Sequence, residues 1–267
     1  MNPARNIGRI LVTGAASGIG AQLCRRLREQ GNEVIALDLK PLAGGIACDL
    51  SDPASIRRAV KDIGGELGGI AHVAGLPGTF SPMKVAAVNT VALRQLTSQL
   101  VDRMNPGGSI VVVSSITAHR CPWTVAEIRA VLAQDDNAIL ARLGALSGPD
   151  AYAASKCLAN NWAASLSEEL LSRGVRVNVV SPGPVETPIL RDFEQSMGAA
   201  RLRAAADIVG RHGRPDEIAA LIAFLLSSDA AWVNGVNIAC DGGFSNARTI
   251  EAQREVPKSF GEHISCN

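Results

Sequence analysis

One tyrosine and one lysine are spaced so that they can share proton chemistry. Tyr152, the only tyrosine of the chain, and Lys156 lie four residues apart, so on a helix both side chains fall on one face. The pKa of a free phenol is about 10 and must drop by about 3 units, roughly 4 kcal/mol, for base catalysis near neutral pH. An ammonium about 4 Å away supplies a Coulomb energy of that order at an effective dielectric constant of about 20. We therefore predict that Lys156 activates Tyr152 as a general acid–base.

A serine is predicted to complete this pair. Ser115 follows the apolar run Ile-Val-Val-Val, and open parallel sheets bind their ligands at the carboxyl ends of such strands. Its hydroxyl can donate to the substrate oxygen that Tyr152 protonates or deprotonates. Each residue has an ordinary alternative, because serine is common at strand ends and a lone Tyr–Lys pair is usually surface packing. The combination of the three carries the prediction.

A glycine-rich loop, Thr-Gly-Ala-Ala-Ser-Gly-Ile-Gly at 13–20, lies between a predicted strand and a predicted helix. Gly14 allows the tight turn, Gly18 lets the backbone approach a pyrophosphate, and Gly20 lets the helix pack on the strand. Asp38 ends the next predicted strand, where a carboxylate accepts hydrogen bonds from an adenosine ribose. The alternative is an ordinary strand–helix turn with a solvated Asp38.

Asp38 is also predicted to select the cofactor. A 2′-phosphate roughly 4 Å from this carboxylate would meet about 4 kcal/mol of repulsion at an effective dielectric constant of about 20. The following residue, Leu39, cannot neutralise that charge, although Lys40 is close enough to weaken the effect. The sequence therefore predicts NAD rather than NADP.

Strands and helices alternate along the chain. Apolar periodicity predicts strands at 9–13, 33–37, 70–73, 109–113, 175–180 and 236–239, and helices at 21–30, 91–104, 152–172 and 216–227. Continuous apolar strands separated by helices indicate an α/β fold, a Rossmann-type doubly wound parallel sheet with helices on both faces. The composition shows no break or linker, so we predict a single domain over 1–267.

These motifs resemble the short-chain dehydrogenase/reductase family. The matching segments are TGAASGIG (13–20), Ala74-Gly75, Asn89 in VNTVA, Ser115, the YxxxK pair Tyr152–Lys156, and SPGP (181–184). The resemblance implies that Asn89, Ser115, Tyr152 and Lys156 are catalytic, with Asn89 holding a water that links Lys156 to solvent; alone, Asn89 is equally suited to cap a helix. It further implies cofactor contacts at Gly14, Ser17, Gly18, Ile19, Gly20, Asp38, Asp49, Leu50, Ala74, Gly75, Asn89, Tyr152, Lys156, Pro182, Gly183, Val185 and Thr187.

The chain departs from the family between Ser115 and Tyr152, where the extra segment 119–150 includes an amphipathic stretch at 125–132. Such an insertion resembles a bacterial subgroup that includes 3α-hydroxysteroid dehydrogenase/carbonyl reductase and coniferyl-alcohol dehydrogenase. In the family the helix after Val91 and the helix of Tyr152 build the main subunit interface. An insertion folded over them blocks that contact, so we predict a homodimer, with the apolar side of 125–132 as an interface face.

A second variable segment, 189–213, is predicted to cover the nicotinamide and the substrate as a lid. Its apolar side chains favour an apolar or aromatic alcohol or ketone; they are Ile189, Leu190, Phe193 and Met197. The alternative is that these residues only pack the lid onto the body. Arg120, Trp123 and Trp162 are suited either to line the pocket or to form a subunit contact.

Composition narrows the partners. The net charge of +1 and the lack of a basic block predict no nucleic-acid binding. No signal peptide or apolar run of bilayer length is evident, so we predict no membrane association and a cytoplasmic location. Six cysteines without CxxC pairing and four histidines without ligand spacing predict reduced thiols and no metal.

Two enzyme functions and one binding function fit these residues. The favoured reading is NAD-dependent hydride transfer to or from a hydrophobic secondary or aryl alcohol or carbonyl, of hydroxysteroid or coniferyl-alcohol type. A 3-oxoacyl-thioester reductase shares the motifs, but the NAD preference and the lack of a basic acyl-carrier docking patch weigh against it. A non-catalytic nucleotide-binding protein is expected to have lost Ser115, Tyr152 or Lys156, and all three are present.

Overall fold

A parallel sheet of seven strands runs through the middle of the protein. The computed structural model describes residues 7–255, apart from the side chains of residues 197, 201 and 255. The strands are β1 (Arg9–Thr13), β2 (Glu33–Asp38), β3 (Ile46–Ala47), β4 (Leu67–His72), β5 (Met104–Val113), β6 (Arg176–Pro182) and β7 (Asn237–Cys240). Their order across the sheet is β3-β2-β1-β4-β5-β6-β7, with every neighbouring pair parallel. The predicted doubly wound α/β fold is confirmed, and its strand order reverses at β1 and β4, where such sheets bind ligands.

Helices cover both faces of this sheet. They are α1 (Gly18–Glu29), α2 (Pro53–Asp62), α3 (Pro82–Ala86), α4 (Ala92–Leu100), α5 (Val125–Leu132), α6 (Asp136–Gly144), α7 (Gly148–Glu169), α8 (Leu190–Met197), α9 (Ala199–Val209), α10 (Pro215–Leu226) and α11 (Phe244–Glu255). One apolar cluster packs α2, α4 and α7 on the sheet, and a second packs α1 and α10 on its other face. Side chains alternate along β1 accordingly, because Leu11 joins the first cluster while Ile10 and Val12 join the second.

Local geometry explains where the helices differ from expectation. The helix predicted over 91–104 is wrong at both ends, since a π-helical turn (Ala87–Val91) joins α3 to α4 and β5 already begins at Met104. Helix α7 begins at Gly148 rather than at residue 152. The Ser147 hydroxyl accepts a hydrogen bond from the Asp150 N–H (3.3 Å), and a proline lies in the first turn, both of which favour a helix start there.

The inserted segment packs against the chain's own helices. Ile128 and Val131 of α5 and Ile139 and Leu143 of α6 are buried in a third cluster with Leu158 of α7. The expectation that the apolar side of 125–132 is a subunit interface is therefore wrong for its central residues, which the fold buries within one chain.

Polar contacts fix the same segment to α4. Arg94 donates to the carbonyls of Leu132 (3.1 Å) and Gln134 (3.2 Å), and its Nε lies 3.4 Å from the Asp136 carboxylate. The amide of Gln95 donates to Asp136 as well (2.9 Å). The insertion thus covers part of the surface that α4 and α7 would offer to a second subunit.

A buried arginine connects β6 to the end of α10. Arg176, only 8% exposed, donates to the carbonyls of Leu225 (2.8 Å), Leu226 (3.3 Å), Ser227 (2.9 Å) and Val233 (3.4 Å). These include the carbonyls that the last turn of a helix leaves unpaired. The guanidinium therefore fixes α10 against the strand that carries the 181–184 motif.

We expect Arg176→Met to lower the free energy of unfolding by about 2–4 kcal/mol, because it leaves buried carbonyls without a donor. Urea denaturation followed by circular dichroism measures this. Arg25→Met is the matched control, since Arg25 is exposed and its two side-chain contacts, with Gln22 (2.6 Å) and Glu29 (4.0 Å), lie on the surface of α1. Exposed ion pairs of this kind contribute less than about 1 kcal/mol. Equal losses in the two variants would contradict the role given to Arg176.

Candidate active site

The glycine-rich loop lies at the carboxyl end of β1. Its glycines pack so closely on neighbouring atoms that side chains would not fit there. A Cβ atom at Gly20 would lie 2.0 Å from the Gly14 carbonyl oxygen, and one at Gly14 would lie 2.9 Å from the Ala74 backbone. Gly14 and Gly18 have φ angles of +69° and +52°, a region that glycine adopts without strain. The loop therefore presents bare backbone at the start of α1, which is suited to phosphate.

Asp38 is held at the end of β2, beside this loop. Its carboxylate accepts hydrogen bonds from the Ala16 N–H (2.9 Å) and the Lys40 N–H (3.0 Å). Both bonds come from backbone, so the Lys40 ammonium is not what holds the carboxylate in place. The half-buried side chain of Asp38 is thus fixed at the edge of the sheet beside the glycine-rich loop.

Asp49 and Leu50 follow β3 on the same edge of the sheet. Hydrogen bonds from the Ser51 hydroxyl (2.6 Å) and N–H (2.8 Å) lower the pKa of the Asp49 carboxyl. Ser17 and Ile19 flank the loop, with Ser17 directly before α1 and Ile19 on the wall of the central cavity. The structure therefore brings the predicted cofactor residues of the first three strands to one edge.

Two contacts that the motifs did not indicate join this loop to the end of β4. The Thr13 hydroxyl oxygen accepts from the N–H groups of both Val73 and Ala74 (3.0 Å each). The next residue, Gly75, packs closely on Lys156 and Asn89, since a Cβ there would lie 3.2 Å from the Lys156 Nζ and 3.4 Å from the Asn89 Oδ1.

Asn89 lies in the π-helical turn and is fully buried. Its amide accepts from the Leu76 N–H (2.8 Å), donates to the Leu76 carbonyl (2.9 Å) and donates to the Ser155 hydroxyl (3.2 Å). Asn89 therefore fixes the backbone of Leu76, in the segment after β4, through both its N–H and its carbonyl group. The spacing of the residues in the sequence did not indicate this role. Single π-turns of this kind occur often at functional sites.

Ser115 and Tyr152 are neighbours, and the Ser115 hydroxyl acts to lower the pKa of the Tyr152 phenol. Ser115 follows β5 and caps a 3-10 helix (Ile116–Arg120), its hydroxyl oxygen accepting from the Thr117 N–H (3.1 Å). Tyr152 is buried, and burial raises the pKa of its phenol to about 12, an effect that Ser115 opposes. Phe193 of α8 lies edge-on to the phenol ring at 5.2 Å between centroids.

Lys156 is buried beside this pair. Its ammonium donates to the Val113 carbonyl (3.0 Å) and lies 5.9 Å from the centre of the Tyr152 ring, and burial lowers the pKa of Lys156 to about 8. Removing the phenolate from water raises the pKa of Tyr152, so the activation of Tyr152 by Lys156 stays a prediction for the site with its cofactor bound.

The segment after β6 closes the same edge of the sheet. Gly183 packs against Asp241, where a Cβ would meet the aspartate Cβ at 2.9 Å, and Thr187 lies close enough that a Cβ at Gly18 would be 3.1 Å from its methyl group. Pro182, Gly183, Val185 and Thr187 all line the central cavity. The structure thus brings this motif to the glycine loop.

A cavity of about 1420 Å³ opens beside Tyr152 and Ser115. Most of its wall is apolar, and α8, α9 and α11 contribute Ile189, Leu190, Phe193, Leu202, Ile208 and Phe244. Arg120 lines it, whereas Trp123 packs on the inserted segment and Trp162 lies edge-on to His72 inside the core. The side chain of Met197, predicted to belong to the lid, lies outside the described part of the structure.

Neither a membrane-crossing helix nor a cluster of metal ligands occurs within residues 7–255. None of the helices in this range combines the length and apolar character that crossing a bilayer demands. No three His, Cys, Asp or Glu side chains in this range gather into a cation site. The five cysteines within it, at 24, 48, 121, 157 and 240, are free thiols, and His263 and Cys266 lie outside it.

Comparison with known proteins identifies the family. The family model described as short chain dehydrogenase matches residues 9–126, and the one described as enoyl-(acyl carrier protein) reductase matches residues 137–245. Coniferyl-alcohol dehydrogenase of a Pseudomonas species is 35% identical over 246 residues, which cover 89% of this chain and 96% of that protein. The chain belongs to the short-chain dehydrogenase/reductase family and is an oxidoreductase. The residues between the two matches, 127–136, lie in the predicted insertion.

Two other comparisons describe its relatives. The crystal structure of the 3α-hydroxysteroid dehydrogenase from Pseudomonas sp. B-0831, complexed with NADH, superposes with a TM-score of 0.80 at 34% identity, covering 91% of this chain and 99% of that one. A 3-oxoacyl-(acyl-carrier-protein) reductase of Salmonella typhimurium is 30% identical over 250 residues, covering 87% of this chain and 95% of that protein. The chain therefore shares its full fold with enzymes named for different substrates.

The burial of Lys156 predicts a specific pH dependence of stability. The folded pKa of about 8 lies below the ordinary 10.5, so below pH 8 both states are protonated and the folded state carries the full desolvation penalty. Between about pH 8 and 10.5 the folded state loses its proton first, and stability rises with pH. Lys156→Met abolishes this rise.

The measurement is the difference in free energy of unfolding between Lys156→Met and wild type, by urea denaturation from pH 7 to 9.5. We expect the variant to gain relative to wild type at pH 7 and the gain to shrink as the pH rises. Taking the difference cancels the titration of the cysteine thiols. A difference that is constant with pH would contradict the assigned burial of a charged Lys156.

Proposed function

We propose that this protein oxidises hydrophobic secondary or aryl alcohols, and reduces the corresponding carbonyls, with NAD(H) as cofactor. The observation that carries the proposal is that Tyr152 and Ser115, both buried, lie together on the wall of a large apolar cavity with Lys156 beside them. Hydride removal from an alcohol carbon requires a group that takes the hydroxyl proton. Tyr152 is suited to that role, and the lid segment 189–213 supplies apolar surface for the substrate.

The residues at the sheet edge fit a dinucleotide. The space at Gly14, Gly18 and Gly20 is too narrow for a Cβ but leaves backbone N–H groups at the start of α1. Lys156 uses one ammonium hydrogen on the Val113 carbonyl, which leaves two for ribose hydroxyls. When bound, the nicotinamide ring supplies the hydride acceptor or donor. Ser17, Asp49, Leu50 and the 182–187 residues are proposed as its further contacts.

The chain's own residues then divide the proton chemistry. In oxidation the substrate hydroxyl proton passes to Tyr152 while the carbon gives up its hydride; in reduction Tyr152 returns the proton to the oxygen. Ser115 donates a hydrogen bond to that oxygen, and the Lys156 ammonium stabilises the phenolate. Asn89, which fixes the backbone of Leu76 beside Lys156, is proposed to hold a water that connects Lys156 to solvent.

Two other functions are compatible with the fold but are supported by fewer of these residues. A 3-oxoacyl-thioester reductase is compatible with the motifs, and a relative of that name is 30% identical, but Asp38 favours NAD. A non-catalytic nucleotide-binding protein would not need the buried Tyr152–Lys156 pair. Steady-state assays with aryl alcohols, steroids and hydroxyacyl thioesters separate the three.

Replacing Asp38 tests the cofactor preference. We expect wild-type kcat/KM for NAD to exceed that for NADP at least tenfold, because the fixed Asp38 carboxylate repels a 2′-phosphate. Asp38→Ala should narrow the ratio by raising kcat/KM for NADP. Asp62→Ala, exposed at the end of α2, is the matched control and should leave the ratio unchanged. Equal use of both cofactors by wild type would contradict the preference.

Replacing Tyr152 tests the acid–base role. Tyr152→Phe keeps the ring that contacts Phe193 but removes the hydroxyl, so turnover should fall about 10²–10⁴-fold while NADH affinity, measured by fluorescence, stays nearly constant. Lys156→Ala should lose both turnover and NADH affinity. Retention of more than about a tenth of the activity by Tyr152→Phe would show that another group moves the proton.

We also propose that the protein is a cytoplasmic homodimer. Free thiols at the described cysteines suit a reducing compartment, and the insertion covers part of α4 and α7. Trp232, fully exposed, and Phe224 and Val236, both partly exposed, lie near the free edge at β7 and offer an alternative contact.

Sedimentation equilibrium should therefore give twice the 27.8 kDa chain mass, and Trp232→Ser should shift the protein towards the single-chain mass. Trp123→Ser, in the inserted segment, is the matched control and should leave the mass unchanged. A tetramer for the wild type would contradict the proposal.

A further inference from the structure

The cavity beside Tyr152 carries positive charge that the proposed proton chemistry does not use. Besides Lys156, its described lining includes Arg120, Arg248 and His119, and it includes no aspartate or glutamate. An alcohol that is apolar throughout would gain nothing from arginines in this wall. A cavity with cations and no carboxylates favours an anionic ligand.

Arg120 is the cation without a partner. Arg120 is exposed to solvent, and its guanidinium makes no ion pair and no hydrogen bond with the other described residues of 7–255. Arg248 lines the same cavity from α11 but forms an ion pair with Glu251 at 3.2 Å. The Glu251 carboxylate offsets its positive charge. His119 is bonded to the Ile116 carbonyl. The unused donors at this wall are therefore those of Arg120.

A short rigid element fixes Arg120 relative to the reacting oxygen. Ser115 caps the 3-10 helix that ends at Arg120, and a rise of about 2 Å per residue separates the two Cα atoms by roughly 10 Å. The Ala118 N–H donates to the Ser115 carbonyl and the Cys121 N–H to the Ala118 carbonyl, both at 3.1 Å. Ser115, Arg120, Leu190 and Phe193 line the same cavity, so a ligand that reaches both Ser115 and Arg120 would also contact apolar side chains.

We propose that the preferred substrates are aryl alcohols, or the corresponding carbonyls, that carry a carboxylate at the end of the ring remote from the reacting oxygen, and that Arg120 binds this carboxylate. This inference rests on the proposed function. The planar guanidinium presents paired N–H donors that match a carboxylate, which a lysine would not. Arg120 is thus a specificity-determining residue and takes no part in proton transfer.

The test compares two probes of similar shape, 4-(hydroxymethyl)benzoate and the neutral 4-methylbenzyl alcohol, with saturating NAD. Wild type should show the higher kcat/KM for the carboxylate. Arg120→Leu should lower kcat/KM for the carboxylate about 10- to 100-fold, as expected for hydrogen bonds to a charged group, chiefly through KM. The neutral alcohol should change less than about threefold.

Arg129→Leu is the matched control, because Arg129 is exposed on α5 and does not line the cavity. It removes the same charge from the same region and should leave both substrates unchanged. Arg120→Lys should restore only part of the preference, because lysine keeps the charge but loses the paired donors.

Several outcomes would overturn the inference. If Arg120→Leu lowers kcat/KM equally for both probes, or if wild type shows equal kcat/KM for the two, Arg120 does not bind the substrate carboxylate. A raised KM for NAD in Arg120→Leu would assign the residue to a cofactor phosphate instead. If wild type oxidises neither probe the proposed function fails as well, whereas oxidation of both at equal kcat/KM removes only the inference.

Discussion

The burial of two ionisable groups in one apolar wall is the constraint on which this site depends. Burial raises the pKa of Tyr152 to about 12 and lowers that of Lys156 to about 8. Both effects disfavour charge, so at neutral pH the phenol keeps its proton, whereas Lys156 remains mostly charged. Base catalysis by Tyr152 therefore requires a further group that stabilises the phenolate. A positively charged nicotinamide ring, when bound at this site, would stabilise the phenolate.

Each element near the pair holds a group at a distance that matters for this balance. Strand β5 ends at Val113, whose carbonyl accepts from Lys156, and Ser115, the neighbour of Tyr152, lies two residues further along the chain. The π-turn places the Asn89 amide within hydrogen-bond distance of Leu76. The preceding residue, Gly75, packs so closely on Asn89 and Lys156 that a side chain there would crowd both. Phe193 covers the phenol ring from α8, so the lid segment also contributes to the burial that sets the pKa of Tyr152.

The sequence predicted the sheet and the residues at its edge because both depend on local patterns. Apolar runs ending in Gly, Asp or Ser mark the carboxyl ends of parallel strands, and those ends meet in any fold of this type. The sequence could not predict the direction of the Tyr152 pKa, because desolvation depends on residues distant along the chain, such as Phe193. It also could not decide whether Ile128 and Val131 face another subunit or α7. Arg120, Trp123 and Trp162 were equivalent in the sequence, and only tertiary packing places Arg120 alone at the cavity.

The most direct measurement follows from Tyr152 being the chain's only tyrosine. A protein labelled with ¹³Cζ-tyrosine gives one NMR signal, which reports the ionisation of this phenol without assignment. In the protein without cofactor, the Tyr152 signal should show no titration below about pH 10, because burial raises the pKa of the phenol. With saturating NAD⁺ the pKa should fall to about 9 or below, the range in which a base works near neutral pH. If the pKa of Tyr152 is already in that range without NAD⁺, burial does not raise it. If NAD⁺ leaves the pKa unchanged, the cofactor does not stabilise the phenolate. Either result would contradict the central claim.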